Sequence, residues 1–424
     1  MDYYYHCRLI DGTGADAIGN AVLIADGGTI VYAGPAKDAP PAGQSHRIDL
    51  DGRTLLPGLF NCHVHLALRF PFSPYNVDEY KTPGYRAMVM YRRAIEALFC
   101  GVTTIRCTGE SDYSDIAVRD AINRDMVMGP RILTAGPIII AHGGHGAGQW
   151  GSIECSGPYE FMRETRNAIV HGVDLIKICT TGGMVGEYEG ANTMQMTEEE
   201  ITAVTEIAAK YNKPVAGHIG NDEAIRAAIR CGVTSIEHGY LMNRETAEIM
   251  ADSSAFLVPT LAVSASCDYL EKHNNPRYHI EKIRQIGEKH MQSAANAIAA
   301  GVRITVGTDL LPSDPLDGTN ATIREVELLV DAGLSPLAAL HAATGSSAAL
   351  CGVDKVTGTL EKGKAADLIA VSGMPDKTIR DLRNVDMVVR SGSLIRSSIA
   401  NDTRPRFSPL PFGTAPSGAS FINW

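Results

Sequence analysis

Between about residue 57 and residue 350, short apolar runs alternate with stretches in which apolar residues recur at a helical spacing. Apolar runs of this length between turn residues are typical of buried parallel strands, and the stretches between them are typical of amphipathic helices. The pattern predicts strands at 55–66, 103–108, 131–140, 174–181, 214–219, 234–240, 256–263 and 303–308. Repeated β–α units predict an α/β fold, here a closed (β/α)8 TIM barrel, with an open doubly wound sheet as the competing topology.

Three of the predicted helices carry start signals. Thr197 precedes a run of glutamates that ends at Glu200, which is the pattern of a capping box. Asn221 can cap the helix EAIRAAIR, and Ser335 stands before a proline at the first helical turn. These signals predict where the helices between the strands begin.

Both ends of the chain depart from this alternation. The segment 7–56 contains short apolar runs split by turn residues, including the hairpin signal DGG at 26–28. The segment 357–397 shows the same pattern. We expect these two segments to pair into one small β-sandwich domain beside the barrel. The proline-, serine- and glycine-rich C-terminus predicts an extended or disordered tail, with packing on a neighbouring subunit as an alternative. The predicted division is 1–56 and 351–400 for the small domain, 57–350 for the barrel and 401–424 for the tail.

Composition excludes several classes of protein. Apolar residues make up 45% and charged residues 20% of the 424 residues, as in an ordinary globular enzyme. The formal net charge of −10 argues against nucleic-acid binding, and no apolar run is long enough to predict a membrane span. Nine scattered cysteines without a CxxC pair predict free thiols in a reducing compartment. With no leader pattern at the N-terminus, we expect a cytoplasmic location, although an exported chain trimmed of its leader would look the same.

Potential metal ligands cluster near the C-terminal ends of the predicted strands, which in a parallel barrel open onto one shared mouth. The two histidines of the HVH motif are two residues apart, so on a strand they project to the same face and can reach one ion. Each histidine alone is more often a core or loop residue, but four at strand ends indicate a metal site. The candidate residues are His63, His65, Lys177, His218, His238 and Asp309.

Two of these candidates leave alternatives open. The ammonium of Lys177 cannot ligate a metal and is costly to bury in an apolar strand. Its head either reaches a carboxylate at the barrel mouth or reacts with carbon dioxide to form a carbamate, whose two oxygens can bridge two metals. Asp309 either caps the following segment or ligates a metal and moves a proton during catalysis.

The motifs PGLFNCHVHL, LIKICTTGG, AGHIG, SIEHGY and VGTDL, in this order, closely resemble the amidohydrolase superfamily. The resemblance is to its imidazolonepropionase-like and dipeptidase-like branch, which includes prolidase- and ochratoxinase-like members with a carboxylated lysine. It implies two divalent metal ions, for which imidazole and carboxylate donors favour zinc, with manganese, iron or cobalt as alternatives. The ligand roles that it implies are His63 and His65 on the more buried metal, His218 and His238 on the outer metal, a Lys177 carbamate between them, and Asp309 on the buried metal as proton shuttle.

One departure from the family pattern stands next to the first motif. The family usually reads PGLID before its HxH motif, whereas this chain has Phe60 and Asn61. Asn61 can still form hydrogen bonds but carries no charge. We therefore expect the ligands to be intact and the surroundings of the first metal to differ from the family pattern.

The substrate is indicated by two further residues. His145 lies in the glycine-rich loop AHGGHG, where an exposed flexible lid is the simpler interpretation, and Tyr240 follows the EHG motif. The resemblance implies that these residues hold the substrate carboxylate or polarise the scissile carbonyl. It implies hydrolysis, by a hydroxide that bridges the metals, of dipeptides or N-acyl amino acids, including ochratoxin-type aromatic amides.

Two other functions stay open at this point. Hydrolysis of urea or carbamate xenobiotics, as in phenylurea and molinate hydrolases, would need the same metals but no carboxylate-binding residue. A catalytically silent metalloprotein is the alternative outside enzymes, although silent relatives generally lose ligands. The expected partners are a small amide substrate and further copies of the chain in a homo-oligomer.

Overall fold

The computed structural model describes residues 1–68, 82–148 and 151–407, and the rest of the predicted tail lies outside these described residues. The strands of the described residues are β1 (Asp2–Leu9), β2 (Ile18–Asp26), β3 (Thr29–Pro35), β4 (His46–Asp49), β5 (Thr54–Pro57), β6 (Leu59–Val64), β7 (Val102–Cys107), β8 (Arg131–Thr134), β9 (Ile138–Ala141), β10 (Ser152–Cys155), β11 (Ile176–Cys179), β12 (Val215–Asn221), β13 (Ser235–Leu241), β14 (Phe256–Val258), β15 (Arg303–Ile304), β16 (Pro315–Leu316), β17 (Thr319–Asn320), β18 (Leu368–Val371), β19 (Val385–Arg390) and β20 (Ser393–Ser397).

The helices of the same residues are α1 (Pro83–Phe99), α2 (Ser114–Asn123), α3 (Pro158–His171), α4 (Glu198–Lys210), α5 (Asp222–Arg230), α6 (Arg244–Ala251), α7 (Leu261–Ser264), α8 (Cys267–Lys272), α9 (Arg277–Ala300), α10 (Ala321–Asp331), α11 (Pro336–His341) and α12 (Ser347–Leu350). A π turn at Ala342–Ser346 joins the last two helices. The predicted caps are confirmed, because the side chains of Thr197, Asn221 and Ser335 accept hydrogen bonds from the first turns of α4, α5 and α11.

Two parallel sheets make up the central part of the fold. One contains β6, β7 and β8, and the other has the order β10-β9-β11-β12-β13-β14-β15. Backbone hydrogen bonds link the sheets at two edges: the amide of Cys62 donates to the carbonyl of Val306 (2.7 Å), and the amide of Asp174 donates to that of Thr134 (2.8 Å). The helices that alternate with these strands pack around one large apolar core.

Four predicted strands differ from the observed ones by more than two residues, and one of them, 303–308, is a strand only at Arg303–Ile304. The run 55–66 divides at Gly58 into β5 and β6, which belong to different sheets, and a Cβ at Gly58 would lie 2.2 Å from the side chain of Thr103. The run 131–140 divides into β8 and β9, since Gly136 between them has a φ of +61°. The run 256–263 ends as a strand at Val258, because Thr260 adopts a left-handed conformation and α7 begins after it.

The ends of the chain form a third, mixed sheet. Its order is β20-β19-β18-β5-β1-β2-β3, with β4 paired to β1, so it contains strands from both ends. The DGG turn is confirmed as the hairpin between β2 and β3, where Asp26 is opposite Thr29. This sheet has its own apolar core, to which Tyr4, Leu23 and Met387 contribute.

All nine cysteines are free, and those at 7, 62, 107, 155, 179 and 351 are buried. Among them, the sulfur atoms of Cys62 and Cys351 are in contact at 3.8 Å. None of the helices in the described part of the chain combines the length and apolar character that a membrane crossing requires.

Candidate metal centre and substrate site

Strand β6 brings two histidines and the segment after β15 brings a carboxylate to one point. Asp309 Oδ1 lies 3.5 Å from His63 Nε2 and 3.4 Å from His65 Nε2. Potential ligand atoms of these three residues all lie within 4.8 Å of one another. The backbone amide of Asp309 donates to the carbonyl of His63 (2.9 Å), which fixes the carboxylate beside the HxH motif.

The other two predicted histidines continue this cluster. His218 lies on β12 and His238 on the adjacent strand β13, and their ring centroids are 4.5 Å apart. The ring of His238 lies 4.8 Å from that of His63. Burial and neighbouring positive groups hold the pKa of both His218 and His238 well below the usual range. Both rings are therefore neutral, which is the form of imidazole that binds metals.

Lys177 is buried on β11, the strand next to β12. Burial lowers the pKa of its ammonium, whereas the negative charges of Glu237 and Asp309 act in the opposite direction. The side chain of Lys177 thus lies near carboxylates, as expected for a lysine that pairs with a carboxylate at the barrel mouth. It also lies at the histidine cluster, as expected for a carbamate that bridges two metals.

A buried ion pair orients His63. Its Nδ1 donates to Glu237 Oε2 (2.7 Å), and Glu237 Oε1 accepts from Arg106 Nη2 (2.7 Å) and Ser235 Oγ (2.5 Å). Burial alone would raise the pKa of the Glu237 carboxyl, but Arg106 and His63 hold it well below its usual range. With Nδ1 directed at Glu237, the other ring nitrogen of His63, Nε2, is the one that faces Asp309.

The remaining rings are oriented in a similar way. His65 Nδ1 donates to the carbonyl of Gly109 (2.7 Å), which directs its Nε2 towards Asp309. His218 Nε2 donates to the carbonyl of Gly182 (3.3 Å), and His238 Nδ1 is hydrogen-bonded to Thr260 Oγ1 (2.7 Å). Partners of this kind fix the tautomer and direction of metal-binding imidazoles.

Backbone strain is present at the same place. His238, Thr260 and Asp309 have φ values of +69°, +56° and +53°. This region is unfavourable for residues with a Cβ, and most of all for a β-branched threonine. Strained conformations persist where the surroundings enforce them and are common at functional sites.

Asn61, where the family pattern has aspartate, binds neighbouring hydroxyls. Its Nδ2 donates to Thr308 Oγ1 (2.8 Å) and Thr322 Oγ1 (3.0 Å). A neutral amide supplies the donor that these contacts need, whereas a carboxylate would only accept. Asn61 therefore holds Thr308, the residue before Asp309, by a hydrogen bond and adds no charge to the site.

The two predicted substrate residues lie against the histidine cluster. Tyr240 is buried and stacks on His238, with centroids 4.9 Å apart and an angle of 1°. Burial raises the pKa of its hydroxyl, which stays protonated and able to donate. His145 stacks on His218 at 4.2 Å, and its side chain is 16% exposed, whereas His142 is 78% exposed. The exposed-lid interpretation therefore applies to His142 and not to His145.

Sequence reasoning missed Arg106, Glu237 and Glu189. Arg106 was detectable, because it is a charged residue in an apolar strand, as Lys177 is. Glu237 directly precedes His238, but its pairing with His63 joins strands that are far apart in the chain. Glu189, which binds His145, lies in a loop with no recognisable pattern.

Comparison with known proteins identifies the family. The amidohydrolase family matches residues 54–395. An ochratoxinase from Aspergillus niger is 27% identical over 431 residues, covering 92% of this chain and 86% of that protein. A solved Xaa-Pro dipeptidase with methionine bound in its active site has a TM-score of 0.83 and 30% identity, over 93% of this chain and 100% of that one. Molinate hydrolase shares the fold, with a TM-score of 0.77, 22% identity and coverage of 96% and 98%. Because the family match spans most of the sequence, the chain belongs to the amidohydrolase family and is a hydrolase.

Proposed function

We propose that this protein is a metal-dependent hydrolase of dipeptides or N-acyl amino acids, including ochratoxin-type aromatic amides. It would cleave the amide bond between an acyl group and a C-terminal amino acid. The observation that carries the proposal is the convergence of His63, His65 and Asp309 on one point beside His218 and His238. Similarity to an ochratoxinase and a Xaa-Pro dipeptidase supports this substrate class.

The donor chemistry fits a metal ion. A neutral His63 or His65 that donates through Nδ1 has its lone pair on Nε2, and both Nε2 atoms face Asp309 Oδ1. Asp309 Oδ1 lies 3.5 and 3.4 Å from these two Nε2 atoms, so a cation placed among the three atoms would meet three electron-pair donors. Imidazole and carboxylate donors suit zinc.

We assign two divalent ions to the site, held by the ligands that the family resemblance implies. His63, His65 and Asp309 would hold the more buried ion, and His218 and His238 the outer one. Lys177 would bridge them as a carbamate: the neutral amine adds to carbon dioxide, a nitrogen–carbon bond forms and one proton is released. The anionic product removes the cost of a buried ammonium and offers two oxygens.

Bound metals supply Lewis-acid polarisation of a carbonyl and of a water molecule. Asp309 would accept a proton from that water and deliver it to the departing amine, since its carboxylate lies beside both histidines of the HxH motif. The protonated hydroxyl of Tyr240 would donate a hydrogen bond to the scissile carbonyl. His145 would hold the substrate carboxylate.

The fold proposal is that the two parallel sheets form one closed (β/α)8 barrel. Hydrogen bonds between β6 and the segment after β15, and between β8 and the segment before β11, support closure. The chain-end sheet, with its separate core, would be the small β-sandwich domain made of 1–56 and 351–400. Four further points stay predictions: the barrel over 57–350, the tail at 401–424, the homo-oligomer and the cytoplasmic location.

The test is a substrate screen of the zinc-loaded protein. Dipeptides and N-acyl amino acids should be hydrolysed, and exhaustive chelation should remove the activity until metal is restored. Full activity after chelation, or no hydrolysis of any N-acyl amino acid by protein with a full metal complement, would contradict the proposal.

Hydrolysis of ureas or carbamates is the second candidate, and the shared fold with molinate hydrolase is the observation behind it. Such substrates have no carboxylate for His145 to hold. The His145→Ala variant separates the two candidates, because it should weaken binding of N-acyl amino acids but leave phenylurea or thiocarbamate hydrolysis unchanged.

A further inference from the structure

The backbone of β13 bends away from its extended course at the end of the strand, over residues 238–242, which we call the β13 bend. Pairing with β14 ends at Glu237, and pairing with β12 shifts its register at the same place. His238 and Gly239 have φ values of +69° and +63°. Two successive residues in this conformation cannot continue an extended strand, so the bend needs contacts from outside the sheet.

Ser293 on α9 binds the β13 bend on both sides of Tyr240. Its Oγ donates to the carbonyl of Gly239 and accepts from the amide of Met242 (3.2 Å). One turn further along α9, Asn296 Nδ2 donates to the carbonyl of Met242 (3.0 Å). Without the Ser293 hydroxyl, the carbonyl of Gly239 would keep the amide of Met242 at 3.4 Å, which is a long hydrogen bond.

Tyr240 is the residue that these contacts enclose. Its ring stacks on His238 and meets the ring of His290 edge-on, with centroids 4.7 Å apart. His290 lies three residues before Ser293 on the same face of α9, and its Nε2 donates to the carbonyl of His238 (3.0 Å). Helix α9 therefore contacts both the ring of Tyr240 and the backbone on either side of it.

We propose that Ser293 is a positioning residue, which holds the β13 bend so that the hydroxyl of Tyr240 meets the scissile carbonyl. The inference rests on the proposed function, in which Tyr240 donates a hydrogen bond to that carbonyl. Glycine has the least restricted backbone of all residues, so Gly239 does not fix the direction of Tyr240 by itself. Both hydrogen bonds of Ser293 go to backbone atoms of the bend, and neither needs a change of protonation.

Ser253 offers a matched control. Its Oγ also donates to a backbone carbonyl, that of Met250 (2.7 Å), and accepts from a backbone amide, that of Ala255 (3.1 Å). It precedes β14, at the end of the strand away from the histidines. Ser253→Ala should therefore lower the melting temperature without lowering kcat. Ser293→Ala removes the same two kinds of bond at the β13 bend, whereas Ser293→Cys keeps a weak donor and acceptor.

The experiment is a double-mutant cycle with Tyr240→Phe, measured on an N-acyl-L-phenylalanine with zinc-loaded protein of known metal content. Ser293→Ala should lower kcat by about tenfold, because a misplaced donor loses most of its effect on the transition state. KM and metal content should stay near the wild type, and Ser293→Cys should lower kcat less. In the Tyr240→Phe background, Ser293→Ala should change kcat by less than about twofold, since the positioned hydroxyl is already gone.

Three results would overturn the inference: an unchanged kcat in Ser293→Ala, an equal fall in kcat with and without the Tyr240 hydroxyl, or a fall that follows a loss of bound metal through His238. If Ser293→Ala does not fold, the milder variant Asn296→Ala takes its place in the cycle and should show a smaller loss of the same kind. If the wild type hydrolyses no N-acyl amino acid, the proposed function fails. If Tyr240→Phe is impaired but Ser293→Ala matches Ser253→Ala, only the positioning role fails.

Discussion

Replacing Arg106 with methionine tests the buried network behind His63. The guanidinium donates to the carbonyl of Cys62 (2.6 Å), to Ser235 Oγ (3.1 Å) and to Glu237 Oε1 (2.7 Å), and both charged side chains are buried. Arg106→Met leaves Glu237 as a buried charge with one partner fewer. Breaking a buried ion pair from one side costs about 3–5 kcal/mol of unfolding free energy.

This cost can be converted into a melting temperature. An unfolding entropy of about 2.1 cal/mol/K per residue gives a chain of 424 residues a fall of about 3–6 °C. Differential scanning calorimetry of the metal-free protein measures it. Metal affinity should also fall, by about tenfold to a hundredfold, because Glu237 no longer holds His63 firmly.

Arg244→Met is the control, since Arg244 is 86% exposed and pairs with Glu248 on the surface of α6. Surface pairs of this kind contribute little, so its melting temperature should stay within about 1 °C of the wild type. Equal melting temperatures for Arg106→Met and Arg244→Met would refute the reasoning. The double variant Arg106→Met/Glu237→Gln should recover part of the loss, because it removes the unpaired charge.

Three further predictions concern titratable or ligating side chains. Lys177→Ala should lose bound metal and activity, with partial rescue by a short carboxylic acid that fills the gap, and full activity without rescue would exclude a bridging role. Asp309→Asn should keep more metal than Lys177→Ala in elemental analysis yet lose turnover, and normal turnover would exclude the proton transfer. Burial raises the pKa of Glu325 from 4.5 to about 8, although backbone amides at the start of α7 oppose it. The folded protein therefore keeps a proton that the unfolded chain releases, so stability falls as pH rises from 5 to 8. Glu325→Gln should flatten that fall in melting temperature, and an equal slope would contradict the burial argument.

Local signals in the sequence predicted local structure well. The caps at Thr197, Asn221 and Ser335 and the DGG turn depend on contacts a few residues apart, and all are observed. The division of 55–66 was not predicted, because both halves are apolar and hydrophobicity does not reveal which sheet each half joins. Gly58 marks the boundary only when the closeness of Thr103 is known.

The same limit applies to the candidate site, where contacts between residues far apart in the chain could not be predicted. Strand-end positions were enough to single out the histidines that the structure brings together, since the ends of parallel strands meet at one edge. Loop position alone did not distinguish His142 from His145, because both lie in AHGGHG, and only the family resemblance singled out His145. Their difference depends on Glu189 and Gln195, which are 44 and 50 residues further along the chain.

The mixed sheet has a consequence for biosynthesis. Strand β5 borders β18, with Pro57 opposite Leu368, so the N-terminal strands await a partner that emerges from the ribosome much later. At an elongation rate of about 5–20 residues per second, the delay is about 15–60 s. Throughout this interval the nascent chain exposes an unpaired strand edge, which is prone to intermolecular association. We therefore expect the yield of this protein to rise when chaperones cover that edge until the last strands are made.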